Sequence, residues 1–439
     1  MLRFLRWLPP LLLLLVLLPG AVYAQSPGAD IYVLEAEGTV NPVLVDYIQR
    51  GIEEAEDNDA NVCIIKLNTP GGLLDSTEKI VTTILNADVP IVVYVSPNGA
   101  WAASAGTFIT LAAHVAAMAP GTTIGAAHPV TTGDTELTED EMEKVTNFSA
   151  KWMQTIADAR GRNAEEAQLA VTESKSFTDA EALEYGLIDL RASSMEDLFT
   201  QLNGWPVELA DGRSVDIATQ GPGVVEVEEI PMSGIERFLY ALTDPNIAYI
   251  LLSLAILGIT VEIFNPGAIF PGVVGAISGL FAFYSLGMLP VNYTGILLIV
   301  LAFVLFIAEA FTSAFGLLTA GGIASMVIGS LILFKGGSLF QVDIWLIVLV
   351  AVIFAAFLAF VINRVVAAHH RQATTGREEL PGKTAVVRTA LDPEGTVLYE
   401  GEIWTARLDQ GRAEPKEEVV IDKFDGLKLF VTKKEKGGS

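Results

Sequence analysis

Three folds in series are expected of this chain: an α/β domain, an α-helical transmembrane bundle and a C-terminal all-β barrel. Between residues 30 and 220, short apolar runs alternate with longer stretches of helical spacing, the pattern of a parallel sheet with helices on its faces. From Ile247 the chain is almost continuously apolar as far as Ile362. Residues 380–436 alternate apolar and polar side chains between glycine turns.

Residues 1–24 read as a signal peptide. Arg3 and Arg6 give the positive start, Leu11 to Leu18 the apolar stretch, and Val22-Tyr-Ala24 a cleavage site before Gln25. In the first domain (25–222) the strand-like runs are Ile31–Ala36, Val62–Leu67, Pro90–Val95 and Val115–Ala119. Val43–Glu54 and Leu73–Leu85 have helical spacing, and a helix-like run from Thr107 to Met118 overlaps the last strand-like one. Thr138 to Arg160 reads as a long helix opened by the capping box Thr138-Glu-Asp-Glu141; a second helix begins at Ala164, and Thr178-Asp-Ala-Glu181 caps a third. Gly221-Pro-Gly223 opens an acidic linker over 223–246.

Five spans are expected within 247–362: Ile247–Phe264, Gly267–Leu289, Gly295–Phe311, Gly316–Phe334 and Ile344–Ile362. Gly275-x-x-x-Gly279 suits close helix packing, and Glu262 and Glu309 fall near span ends, where an interfacial place suits a carboxylate. A basic linker (363–379) with Arg364, Arg371 and Arg377 follows, which by the positive-inside rule puts the C-terminus in the cytoplasm and the first domain outside the plasma membrane. The barrel strands are read at Thr384–Thr389, Thr396–Tyr399, Glu402–Arg407, Glu418–Ile421 and Leu427–Val431.

A mean hydropathy of +0.47 fits this membrane content. Residues 25–246 hold 36 acidic and 11 basic side chains, which accounts for the whole chain's net charge of −25. A field of that sign repels nucleic acid, so a DNA- or RNA-binding role is excluded. The single cysteine, Cys63, cannot form an intrachain disulfide and sits in an apolar run suited to a core.

Chemistry points to Ser104. The segment Asn98-Gly-Ala-Trp-Ala-Ala-Ser-Ala-Gly106 places this serine among small residues, between the strand-like run Ile91–Val95 and a helix-like one. A serine on such a turn exposes its hydroxyl for attack, while the first N–H groups of the helix can stabilise an oxyanion. A second glycine turn, Leu67-Asn-Thr-Pro-Gly-Gly72, also follows a strand. Two such turns on neighbouring strands could build one acyl-transfer site. The partner that takes the serine proton stays open on residue chemistry alone: His114, His128 or a lysine held neutral. His114 lies in an apolar run, which favours a buried structural role. No cofactor or metal is called for.

Asn68-Thr-Pro-Gly-Gly72, Ala102-Ala-Ser-Ala-Gly106, Met118-Ala-Pro-Gly-Thr122 with Ile124-Gly-Ala126, Gly161-Arg-Asn163 and Ala180-Glu-Ala-Leu-Glu-Tyr-Gly-Leu-Ile-Asp189 together resemble the long form of the NfeD family, membrane-bound serine proteases of the ClpP class. In the barrel, Gly382, Gly395, Gly401-Glu-Ile-Trp404 and Ala406 resemble that family's OB-fold. The resemblance implies a ClpP/crotonase-like α/β domain with a serine–lysine dyad. Ser104 falls on the nucleophile and Lys144 on the base. The N–H groups of Gly71 and Ala105 fall on the oxyanion-hole positions, with Gly72 completing the turn. It further implies an apolar segment of a membrane protein as substrate, stomatin-like partners, and a homo-oligomer. Two features depart from it. His128 falls near the histidine of a Clp-type triad, but Lys175 stands where that triad's aspartate would be. Glu141 and Glu143 flank Lys144 and would favour its charged form.

Overall fold

The computed structural model describes residues 30–130, 138–221, 226–264, 267, 269–312, 316–335, 340–370 and 380–434; the signal-like segment 1–24 lies outside them. It separates into two compact units, residues 1–354 and 355–439.

Period-two alternation builds the main sheet. Strands β1 (Ile31–Glu37), β2 (Val62–Asn68) and β3 (Ile91–Val95) are nearly all buried. Their side chains divide between two cores: Leu34, Cys63, Ile65 and Val93 on one face, Val33, Ile64, Val92 and Tyr94 on the other. Helix α1 (Pro42–Asp57) starts where the Asn41 side chain accepts the Leu44 N–H, with Pro42 in the first turn, and α2 (Leu74–Leu85) follows β2. After β3 come β4 (Trp101–Ala103), α3 (Ala105–Ala112), β5 (Val115–Met118) and β6 (Thr123–Gly125). Helix α4 (Glu139–Ala159) begins with the expected capping box at Thr138, and α5 (Ala164–Thr172) follows. Then come β7 (Ser176–Thr178), α6 (Asp179–Glu184) with its box at Thr178, β8 (Leu190–Arg191), α7 (Met195–Leu202) and the hairpin β9 (Trp205–Glu208)–β10 (Ser214–Ile217).

Two elements differ from the sequence reading. The helix-like run ends at Ala112, where Ala113 turns extended and the His114 N–H donates to the Ile91 carbonyl, so the chain enters β5. The stretch read as linker instead carries β11 (Val227–Ile230) and helix α8 (Gly234–Ala241). β11 completes a parallel six-stranded sheet of order β11-β1-β2-β3-β5-β8. It is a four-residue edge strand with two glutamates, too short and too polar to show alternation. It is fixed by buried Ile230, whose carbonyl accepts the Tyr47 hydroxyl at 2.7 Å.

Five apolar helices follow: α9 (Pro245–Phe264), α10 (Ile269–Met288), α11 (Tyr293–Phe311), α12 (Leu317–Leu331) and α13 (Ile344–His370). Pro245–Ile263 and Ile269–Met288 are long and apolar enough to cross a membrane; Tyr293–Glu309, Leu317–Leu331 and Ile344–Phe360 are shorter apolar stretches. α9 and α10 meet at Gly258 and Gly275, where a Cβ on Gly258 would stand 2.5 Å from the Pro271 carbonyl oxygen. Glu309, near the end of α11, is buried, and its carboxylate accepts the Gly316 and Thr319 N–H groups at the start of α12.

The second unit contains a closed five-stranded barrel: β12 (Thr384–Thr389), β13 (Glu394–Tyr399), β14 (Glu402–Leu408), β15 (Glu418–Asp425) and β16 (Lys428–Lys433), in the order β12-β13-β14-β16-β15. Inward residues Val387, Val397, Ala406, Ile421, Leu429 and Val431 fill it. This is the small all-β barrel expected from sequence.

Candidate active site

Parallel sheets gather chemistry at the carboxyl ends of their strands, and both glycine-rich turns lie there, after β2 and after β3. Ser104 joins β4 to α3 at φ 52°, ψ −112°, left partly exposed. A non-glycine residue held there stores about 1–3 kcal/mol, which the surroundings must impose. They do so through its N–H, which donates to the Gly125 carbonyl at 2.9 Å. The Thr107 hydroxyl, within reach of the Ala102 and Gly125 carbonyls (2.9 and 3.0 Å), also accepts the Gly125 N–H at 3.0 Å. Ala105 and Gly106 begin the helix, so their N–H groups have no intrahelical acceptor and point out at its positive end.

The Gly71–Gly72 turn closes over the serine. Gly71 has φ 125°, and a Cβ there would stand 2.8 Å from Ser104 Cβ and 3.3 Å from Ser104 Oγ. Gly72 backs onto Val40, whose carbonyl oxygen would be 2.1 Å from an added Cβ. Only glycine lets the two turns come this close. The Val40 N–H donates to the Gly71 carbonyl and the Leu73 N–H to the Val40 carbonyl, both at 2.9 Å. The Gly71 N–H, assigned to the oxyanion in the sequence reading, donates to Thr69 Oγ1 at 3.0 Å. Among the described residues, Gly72 N–H makes no hydrogen bond.

The candidate proton acceptors sit in different surroundings. His114 Nδ1 accepts the Ile91 N–H at 3.0 Å, and burial, reinforced by Arg160 and Arg162, pushes its pKa down to about 3. It is a structural residue. His128 is half-buried, and its Nδ1 donates to the Val171 carbonyl at 2.9 Å in the tautomer that leaves Nε2 free. Lys175 reaches Glu166 at 2.6 Å and lies over the Phe177 and Tyr185 rings, so its ammonium belongs to that cluster. Hydrogen bonding to Glu166 moves its pKa up.

Lys144 occupies the second turn of α4 and is exposed. Helix α4 runs alongside α3 in the same direction. Trp152 stacks on Phe108 with centroids 4.6 Å apart, and Arg160 Nε donates to the Ala112 carbonyl at 2.8 Å. The leading turns of α4 therefore lie toward the end of α3 that carries Ser104. Of the flanking carboxylates, Glu141 faces its own cap: its Oε2 accepts the Thr138 N–H and hydroxyl, each at 2.9 Å, which lowers its pKa.

One structural feature near the site is not evident in the sequence. Arg162, 6% exposed, donates from one guanidinium nitrogen to the Leu111 and Ala113 carbonyls at 2.7 and 2.8 Å, and pairs with Asp189. With Arg160 on Ala112, two cations satisfy the last carbonyls of the helix that begins at Ser104. The Gly161-Arg-Asn163 motif was visible, but nothing local in it says which helix it serves.

A strained serine at a helix N-terminus, facing a glycine turn and followed by membrane helices, defines a membrane-bound serine peptidase. Models of the NfeD family cover the chain in three parts: the NfeD1b N-terminal domain at residues 30–200, the NfeD integral membrane domain at 246–364, and the NfeD-like C-terminal, partner-binding domain at 377–433. The membrane-bound protease PH1510 of Pyrococcus horikoshii is 37% identical over 97% of this chain and 98% of its own. The membrane protein NfeD1b of Bacillus subtilis is 28% identical over 95% and 96%. The chain belongs to the NfeD family. A solved structure of 1510-N, a membrane protease specific for a stomatin homolog from Pyrococcus horikoshii, covers 49% of this chain and 98% of its own at 34% identity and a TM-score of 0.43.

Proposed function

We propose that this protein hydrolyses peptide bonds by a Ser104–Lys144 dyad through an acyl-enzyme, cutting apolar segments of membrane proteins. The observation that carries the reading is Ser104 held at φ 52° against Gly71. Neutral Lys144 takes the hydroxyl proton and Oγ attacks the peptide carbonyl. The N–H groups of Ala105 and Gly72 receive the oxyanion, with Gly71 shaping the turn. The lysine returns the proton to the leaving amine, and water releases the acyl group. The parallel run of α3 and α4 and the engagement of Lys175 and Glu141 elsewhere support Lys144. The free Nε2 of His128 favours a second reading, a serine–histidine pair oriented by a carbonyl rather than an acid.

The substrate class rests on two supports. The relative 1510-N is specific for a stomatin homolog. In this chain the catalytic end of the sheet also carries the connection to the membrane helices, since Asn41 Nδ2 donates to Thr243 Oγ1 at 2.9 Å, two residues before α9. A stomatin-like membrane protein is the proposed partner, with assembly as a homo-oligomer. Arg364 near the end of α13, with Arg371 and Arg377 beyond it, supports a cytoplasmic C-terminal barrel and a peptidase domain outside the plasma membrane. A signal-peptide-clearing peptidase would use the same chemistry, whereas a catalytically quiet scaffold recruiting partners through the barrel would not.

Steady-state hydrolysis of apolar peptides by the full chain in detergent tests the proposal. Ser104→Ala should abolish cleavage. Lys144→Ala should lower kcat by at least about 10³-fold, and His128→Ala by much less. Full activity in Lys144→Ala with loss in His128→Ala would overturn the dyad. Equal, background-level hydrolysis by wild type and Ser104→Ala would favour the scaffold.

A further inference from the structure

The loop between β1 and α1 does more than join them. On one side it clasps the glycine turn, through the Val40 N–H on the Gly71 carbonyl and the Leu73 N–H on the Val40 carbonyl. On the other side it is gripped by α8. Tyr240 Oη lies 2.9 Å from the Glu37 carbonyl and 3.1 Å from the Thr39 carbonyl, a shared donation from one hydroxyl. Between those carbonyls Gly38 has φ 94°, and a Cβ on it would stand 2.6 Å from that hydroxyl. Three residues on, the Thr243 hydroxyl accepts the Asn41 side-chain N–H, while Asn41 Oδ1 caps α1.

Helix α8 is itself held from two directions. Glu236 pairs with Arg50 of α1 at 2.8 Å, and Phe238 meets Phe281 of α10 edge-on with centroids 5.3 Å apart. No local need of α8 calls for a tyrosine hydroxyl aimed at two carbonyls of another element. Burial, with Glu37 nearby, pushes the Tyr240 pKa up to about 12, so the hydroxyl keeps its proton across the working range.

We infer that Tyr240 is a positioning residue for the peptidase reaction: through the Gly38–Asn41 loop it fixes the Gly71–Gly72 turn, and so ties the geometry of the oxyanion donor to the docking of a helix that rests on the membrane bundle. The inference rests on the proposed use of Ser104 and Gly72. An N–H aimed at the oxyanion acts only in the transition state, so a slackened turn shows in kcat while ground-state peptide binding is untouched.

The test is steady-state peptide hydrolysis by the full chain in detergent, comparing wild type, Tyr240→Phe and Ser104→Ala, with the thermal transition of each. Tyr240→Phe keeps the ring and deletes the hydroxyl. Its kcat should fall roughly three- to tenfold at unchanged KM, the loss expected from misplacing a donor rather than deleting it. Wild-type kcat in a folded Tyr240→Phe, or a change confined to KM, overturns the inference. Should Tyr240→Phe fail to fold, Thr243→Val, which removes the bond accepted from Asn41 and the one donated to the Tyr240 carbonyl but leaves the Tyr240 hydroxyl in place, is read by the same split: a smaller kcat loss at constant KM supports the inference, and wild-type kcat overturns it. Activity surviving in Ser104→Ala would instead overturn the site reading itself.

Discussion

The two ends of helix α3 are built to opposite purposes. At its N-terminus Ser104 is strained, half open to solvent, and followed by N–H groups left without partners among the described residues. Eight residues later the carbonyls of Leu111, Ala112 and Ala113 are taken by two guanidiniums, one of them almost wholly buried and paired with Asp189. One end is left unsatisfied, as the proposed oxyanion would require, and the carbonyls of the other are taken by protein donors.

The sharpest way to break this contrast is at the clamp. Arg162→Ala strips two carbonyls of their donor and leaves Asp189, which also accepts the Ala116 N–H, without its cation. Losing one partner of a buried pair costs about 3–5 kcal/mol, so chemical denaturation should show a loss of that order in the first domain. A loss below about 1 kcal/mol would mean that water replaces the guanidinium freely and that the far end is not rigid.

Acid attacks the same end more gently. His114 titrates near pH 6.5 when unfolded but is held down to about 3 in the fold, chiefly by burial. Protonation therefore favours the unfolded chain. The histidine exacts no penalty above pH 6.5, and stability falls as the pH drops below it toward 3. At about 1.4 kcal/mol per pH unit, roughly 2 kcal/mol is lost between pH 6.5 and 5. His114→Asn can still accept the Ile91 N–H but takes up no proton, so its stability should decline less over that interval. Parallel curves for the two proteins would show that His114 takes up its proton in the fold as readily as in the unfolded chain.

The contrast also explains what could be read from sequence. The open end was legible because its requirements are local: a small-residue turn, a serine, a strand before and a helix after. Thr138 and Thr178 were legible as caps for the same reason, and both boxes form. The clamp was not, because Arg160 and Arg162 sit about fifty positions from the carbonyls they satisfy, a pairing that only the tertiary fold creates. α8 was hidden differently: an acidic composition around Pro231 reads as solvated linker, and its anchors, Tyr240 to Glu37 and Glu236 to Arg50, are again distant. Lys144 came from the family resemblance, since an exposed lysine on a helix carries no signal of its own.

The smallest effect isolates the strain at the open end. Ser104→Ala and Ser104→Gly both remove the hydroxyl, so both should be inactive, but they differ in the backbone. Alanine keeps a Cβ at φ 52°, ψ −112°, and with it the 1–3 kcal/mol that this conformation costs to about that order. Glycine adopts it freely and gives back about 0.5–1 kcal/mol through the greater freedom of its unfolded chain. The glycine variant should therefore be the more stable by about 1 kcal/mol, seen as a higher midpoint in urea at unchanged slope. That would be stability gained by giving up the geometry that exposes the proposed nucleophile, a trade confined to one end of the helix. If the two variants unfold together, the turn relaxes around any small residue, and the exposure of Ser104 owes nothing to imposed strain.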